Sequence, residues 1–367
     1  MSFEAILNRG RMTADGIPYP DIEQAEAAAG AGDEVGWFDF WMAKADDYER
    51  IGTEAVDAGR ALTGGRWLWH ASLSAHYAQF MWFHDPPRRE AGQRRKAELY
   101  AHAAPYLDPP AERVELPFEG AVIPGYLRLP PAGAGPHPCA ILVGGLESTK
   151  EESSLFEALC LRRGLATFAF DGPGQGEMFF DVKLRPDFER YGSAVVDHLV
   201  GRPEIDATRI GVLGRSLGGH YAPKLAAHDP RVRACCCWGA CFDMSEFDRM
   251  PPHTQDGFLY VTGIADRDEG RAYLQQALDL APVAGDIRCP VYVLHGRHDV
   301  IFSTDHLAKF ERHVTGAPLE IVLERDGDHC CHNMGHIVRP RMADWMADRL
   351  GAGLNPPRRR GSASAAG

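Results

Sequence analysis

The chain has 367 residues, 45% hydrophobic and 25% charged, with a formal net charge of −12. That length has room for one large domain and a smaller one. The acidic balance, without a dense basic cluster in the folded part, argues against nucleic acid as a partner. No run of about 18 apolar residues offers a membrane span.

The first ten residues lack the charged-then-apolar layout of a signal peptide. The nine cysteines are odd in number and not spaced as a disulfide framework. Cys235, Cys236, Cys237 and Cys241 lie in or beside an apolar strand-like run. They read as small buried hydrophobes in a reducing cytoplasm. A zinc site is the alternative, but three consecutive strand residues point to alternating faces and do not converge on one ion.

Residues 1–110 read as a helical cap domain. Helix-like runs cover 37–62, 66–84 and 88–106, with Gly64-Gly65 as a break and Pro-containing stops after the second and third. Short turns between them favour antiparallel packing. In the middle run Trp69, Leu73, Tyr77 and Phe80 recur at spacings of three and four, giving one apolar face. That face either glues the helices to the next domain or lines an aromatic pocket.

Residues 111–354 change pattern. A hairpin is expected around Glu119-Gly120. A continuous apolar strand follows at 139–143, and further strands at 165–171, 209–213, 232–238, 290–295 and 318–323, with helical runs between most of them and a closing helix at 336–350. This alternation demands a mostly parallel sheet of about eight strands, covered on both faces, with the hairpin as an antiparallel edge. The connection between Trp238 and Pro290 is too long for a simple crossover. It reads as a lid insertion at about 240–285. The tail, 355–367, is rich in Pro, Arg, Gly, Ser and Ala and is expected to be disordered, with Arg358-Arg359-Arg360 a solvated charge run.

Gly214-Arg-Ser-Leu-Gly218 stands between a strand and a helix. A G-x-S-x-G in that position is the nucleophile elbow of an α/β-hydrolase fold. The serine needs a base and the base an orienting acid. Asp299 follows the strand after the insertion and His329 follows the last strand, so the order is Ser216, Asp299, His329, as that fold requires. Asp305, Asp326 and Asp328 compete for the acid, and His332 and His336 for the base. Asp305 belongs to the next helix, Asp328 adjoins the histidine, and His332 and His336 sit at or in the closing helix. His295 and His298 read as strand-end and loop residues. The backbone N–H of Leu217 is one oxyanion donor, and that of Gly145 or Leu146 the second. Glu147 is out of place in a loop that must favour negative charge on substrate. It is either a helix N-terminal acid, like Glu151 and Glu152, or a carboxylate that is protonated or pairs with a substrate hydroxyl or amine. No motif implies a metal or an organic cofactor.

Four runs together, Gly144-Gly-Leu-Glu-Ser-Thr-Lys-Glu-Glu152, Phe170-Asp-Gly-Pro-Gly-Gln-Gly-Glu177, Gly214-Arg-Ser-Leu-Gly-Gly219 and Gly327-Asp-His329, resemble the 2,6-dihydroxypseudooxynicotine hydrolase family of carbon–carbon bond hydrolases in bacterial nicotine breakdown. The resemblance runs over nearly the whole chain. It implies a serine hydrolase with a helical N-terminal cap, often homodimeric. It implies a small aromatic ketone substrate cleaved between the carbonyl and a hydroxylated ring, with Ser216, Asp299 and His329 as triad and Glu147 as a pocket residue. A carboxylesterase, thioesterase or acyltransferase using the same triad is the alternative, and a non-catalytic ligand sensor a third class.

Overall fold

The computed structural model describes residues 8–30, 34–131 and 135–352. The expectations for residues 355–367 lie outside them.

Five helices form the N-terminal layer: α1 (Arg9–Asp15), α2 (Tyr19–Ala29), α3 (Glu34–Asp57), α4 (Ala61–Gln79) and α5 (Pro86–Ala103). Their own core gathers Trp37, Trp41, Leu68, Tyr77, Trp82 and Tyr100. Each such aromatic buries about 150–250 Å². Trp69, Leu73 and Tyr77 fall in this core. Phe80, just past the helix, belongs to the same core and also lines a cavity.

Gly64-Gly65 is not a break. The chain turns at Gly59, whose φ is +76°, and both later glycines lie inside α4. They are packing residues. A Cβ on Gly64 would lie 2.7 Å from the Gly52 carbonyl oxygen, and one on Gly65 2.2 Å from that of Tyr106. Close helix approach, not chain reversal, requires them.

The second layer is an eight-stranded sheet: β1 (Ala111–Phe118), β2 (Ala121–Arg128), β3 (His137–Val143), β4 (Ala166–Phe170), β5 (Ile205–Arg215), β6 (Val232–Trp238), β7 (Val291–Gly296) and β8 (Leu319–Glu324). Their spatial order is β1-β2-β4-β3-β5-β6-β7-β8. β1 and β2 are antiparallel, as is the β2–β4 pair, and the rest are parallel. Strand alternation divides the core in two. Ile141, Val143, Cys235 and Cys237 face one side, under α7 (Phe188–Val200) and α8 (Gly218–His228). Ala140, Leu142 and Cys236 face the other, under α6 (Ser154–Leu161) and α12 (Gly335–Arg349). All nine cysteines are buried and unpaired.

The long connection after β6 carries α9 (Pro252–Thr262) and α10 (Arg267–Ala277), and α11 (Asp305–His313) follows β7. α9 lies over the C-terminal ends of the strands, where ligands of open α/β sheets bind. None of the described helices is long and apolar enough to cross a membrane.

Candidate active site

Ser216 sits between β5 and α8 with φ +57°, a left-handed conformation that costs a side-chain-bearing residue about 1–3 kcal/mol. Its neighbours explain how the turn is held. A Cβ on Gly214 would lie 1.8 Å from the Gly218 carbonyl oxygen, and one on Gly218 2.4 Å from that of Val143. The Ser216 N–H donates to the Trp238 carbonyl at 2.7 Å.

The Ser216 hydroxyl lies 2.8 Å from His329 Nε2, and His329 Nδ1 lies 2.7 Å from Asp299 Oδ2. The other Asp299 oxygen accepts the N–H groups of Ile301 (2.8 Å) and Phe302 (3.0 Å). Burial alone would raise the Asp299 carboxyl, but the charge and hydrogen bond of His329 outweigh it and hold it below its usual value. Burial alone would lower the His329 imidazole, but Asp299 and the neighbouring Cys330 thiol hold it well above its usual range.

The competing residues lie elsewhere. Asp305 begins α11. Asp328 accepts the N–H of Asn333, and the Asp326 carbonyl accepts the Asn333 amide. His336 is in α12. His295 is buried, with Nδ1 accepting the Ala240 N–H and Nε2 donating to the Phe302 carbonyl. His332 does line the cavity, but as a buried residue whose Nδ1 has no hydrogen-bond partner among the described residues.

Gln175 fixes the loop after β3 by donating to the carbonyls of Gly144 (2.6 Å) and Gly145 (3.0 Å). In a trans peptide the N–H points opposite the carbonyl, so the N–H groups of Gly145 and Leu146 face away from Gln175. Neither these nor the Leu217 N–H has an acceptor among the described residues. Gly145 is packed against the nucleophile: a Cβ there would lie 2.9 Å from Ser216 Cβ.

Glu147 has the partner that the sequence reading did not weigh. Arg89 of α5 grips it with two hydrogen bonds, of 2.8 and 2.7 Å, and the Met81 N–H adds a third at 2.9 Å. The pair is buried, and Arg89 lies over the rings of Phe83 and Tyr260. Among the described residues Glu147 Oε1 receives a single bond, from Arg89, so it has acceptor capacity left, and the residue lines the cavity.

Glu151 and Glu152 are also more than helix N-terminal acids. Glu152 binds Arg11 (2.8 Å) and Arg215, and lies 3.0 Å from His76. Glu151 binds Lys150 (2.5 Å) and lies 3.4 Å from Lys96. Thr149 accepts from Lys96 (2.8 Å), and Ser154 bonds to Tyr100 (2.9 Å). The 144–154 stretch is therefore the strip on which the cap docks. Glu151, Asp171 and Glu177 lie close enough together to hold a metal ion. The Lys150 ammonium already bonds to all three carboxylates.

The cavity above Ser216 has a volume of about 420 Å³. Its walls come from the N-terminal helical layer (Phe80, Met81), α9 (His253, Thr254, Phe258) and the sheet loops (Leu146, Glu147, His329).

A mainly parallel eight-stranded sheet with a strained serine between strand and helix, hydrogen-bonded to a histidine after the last strand, defines an α/β-hydrolase. Residues 33–261 match the model for FrsA-like esterases, and residues 192–353 that of the prolyl oligopeptidase family. The chain belongs to the FrsA-like esterase family. It is 47% identical over 353 residues to a 2,6-dihydropseudooxynicotine hydrolase of Paenarthrobacter nicotinovorans, covering 95% of this chain and 94% of that protein. The crystal structure of a 2,6-dihydroxy-pseudo-oxynicotine hydrolase superposes with a TM-score of 0.89 at 46% identity, over 94% of this chain and 97% of that one. AbyA5 shares the fold, with a TM-score of 0.68 at 20% identity over 91% of this chain and 94% of its own.

Proposed function

We propose that this hydrolase cleaves the carbon–carbon bond between a ketone carbonyl and a hydroxylated aromatic or heteroaromatic ring, or a comparable β-dicarbonyl. The observation that carries this reading is the near full-length similarity to 2,6-dihydropseudooxynicotine hydrolase, which includes the cap whose residues wall the cavity. A cavity of about 420 Å³ suits one substituted ring with a short acyl chain.

In this reading Ser216 attacks the ketone carbon while His329 Nε2 takes its proton. Asp299 orients the imidazole and stabilises its charged form. The carbonyl oxygen, now an alkoxide, is held by the N–H of Leu217 and that of Gly145 or Leu146. Collapse breaks the carbon–carbon bond, its electron pair passes into the ring, and His329 delivers the proton to the ring carbon. Water, deprotonated by His329, then releases the acyl group as a carboxylic acid. Glu147, steadied by Arg89, accepts a hydrogen bond from a substrate hydroxyl or amine on its free lone pair. The proposal extends to a homodimer, as the resemblance implies, and to the cytoplasm, which nine unpaired thiols favour.

Ester hydrolysis by the same triad is the second reading, favoured by the esterase description of the matched family. Turnover of an acyl-resorcinol ketone beside a p-nitrophenyl ester separates the two. The first reading requires ketone cleavage that disappears in Ser216→Ala; cleavage of the ester alone refutes it.

A further inference from the structure

The buried charges behind the cavity do not balance. Asp15 and Glu152 supply two carboxylates, while Arg11, Arg215 and Arg339 supply three guanidiniums. Asp15 bonds to Arg339 at 2.6 Å and lies 3.4 Å from both Arg215 and Arg11. Glu152 bonds to Arg11 at 2.8 Å and to Arg215. The imidazoles packed here add no charge. Burial, then Lys96 and Arg11, holds His76 well below its usual range, and burial, then Arg11 and Arg215, does the same to His332. Tyr77 donates to Asp15, and burial pushes its hydroxyl up, so it stays neutral. Glu147, also on the cavity wall, is matched by Arg89. One positive charge is left over, and burial lowers Arg215 to about 10.

Two of the three guanidiniums reach the cavity. Arg11 and Arg215 line the cavity with Ser216, whereas Arg339 does not. Arg11 directs Nε at Asp15 (3.4 Å) and Nη2 at Glu152 (2.8 Å) and Ser148 (3.3 Å). Its Nη1 has no acceptor among the described residues. A guanidinium carries five N–H donors in a fixed fork suited to oxyanions.

We propose that Arg11 and Arg215 form a second oxyanion site, for a ring oxygen of the substrate, separate from the N–H groups that receive the carbonyl oxygen. The proposal rests on the carbon–carbon cleavage reading. Take the ring in its keto tautomer, a β-dicarbonyl. When the carbon–carbon bond breaks, its electron pair leaves the acyl carbon and becomes a ring enolate with its charge on the ring oxygen. Arg11 and Arg215 hold that oxygen until His329 returns the Ser216 proton to the ring carbon. Ser216 keeps the acyl group and the ring leaves with one added hydrogen, so atoms and charge balance. The ligand class is a planar ring with an acidic hydroxyl conjugated to an electron-withdrawing group.

The test uses 4-nitroresorcinol, which has a nitro group where the substrate has its acyl group, cannot be cleaved, and changes colour on ionisation. Its ionisation is titrated free and bound to wild type, Arg11→Gln, Arg11→Lys and Arg339→Gln, with thermal melts verifying folding. Bound to wild type, its pKa falls by about one to three units. The shift disappears in Arg11→Gln, survives in part in Arg11→Lys, and largely persists in Arg339→Gln, which removes a charge from the same cluster but not from the cavity. An unshifted pKa in wild type, or equal shifts in wild type and Arg11→Gln, overturns the proposal. If Arg11→Gln does not fold, the wild-type shift and Arg11→Lys decide. Acyl-resorcinol turnover is measured in parallel. Cleavage without the shift refutes the second oxyanion site and leaves the cleavage reading standing. A shift without cleavage supports the anion site and refutes the cleavage reading.

Discussion

Arg89 and Glu147 form a bidentate ion pair, at 2.8 and 2.7 Å, that joins the cap to the loop beside the nucleophile. Both side chains are buried, so neither charge has water as a substitute partner. Breaking such a pair from one side costs about 3–5 kcal/mol, because the other charge stays behind unpaired. Arg89→Met is therefore expected to lower stability by that amount in a urea melt. Glu147→Gln removes the opposite charge and leaves Arg89 unmatched. It is expected to cost similar stability and also to reduce ketone turnover, with the loss larger for hydroxylated than for O-methylated rings.

His329 must be neutral to accept the Ser216 proton. Its imidazole is held above the usual range, so activity is gained as pH rises through that raised value and lost below it. The acid limb of kcat/KM is expected above the ordinary histidine value of about 6.5. Asp299→Asn removes the carboxylate that raises His329. It is expected to move the limb to lower pH and to reduce kcat by on the order of 10⁴-fold, as in other triads. A pH–rate profile of both proteins checks the sign. An unmoved limb would show that Asp299 does not set the base.

Gly145→Ala tests how tightly the loop after β3 is fitted to the nucleophile. The added Cβ would meet both the Arg215 carbonyl oxygen and Ser216 Cβ at 2.9 Å, closer than real contacts allow. Loop or serine must shift. The expected result is a fall in kcat of about tenfold to a hundredfold, the scale of losing or misplacing one oxyanion donor, with a melting temperature that changes little. Unchanged kcat would show that the loop yields freely.

Much of the catalytic layer could be read directly because its signals are local. The central strands β3, β4 and β7 are near-continuous apolar runs, and burial on both faces is what that pattern means. Gly214 reflects a contact within a few residues, with the Gly218 carbonyl, and Gly218 stands in a motif that is itself local in sequence although the backbone it packs on is that of Val143. The long-range charge pairs had no such signal. Arg89 is 58 positions from Glu147, and Arg11 is 141 from Glu152. No periodicity links them, and only the docked cap brings them together. The one available hint was Arg215 itself, a charged residue at the end of a buried strand that needs an acidic partner. Gly64-Gly65 misled because glycine serves both turns and close packing, and only the Tyr106 carbonyl shows which applies.

The most direct test of the account is single-turnover mass spectrometry of wild type and Ser216→Ala with an acyl-resorcinol ketone, alongside steady-state turnover of a p-nitrophenyl ester. The account predicts release of the free ring, a transient acyl adduct on Ser216, and loss of both in Ser216→Ala. Turnover of the ester alone, with the ketone untouched, would contradict it and place this hydrolase among the esterases.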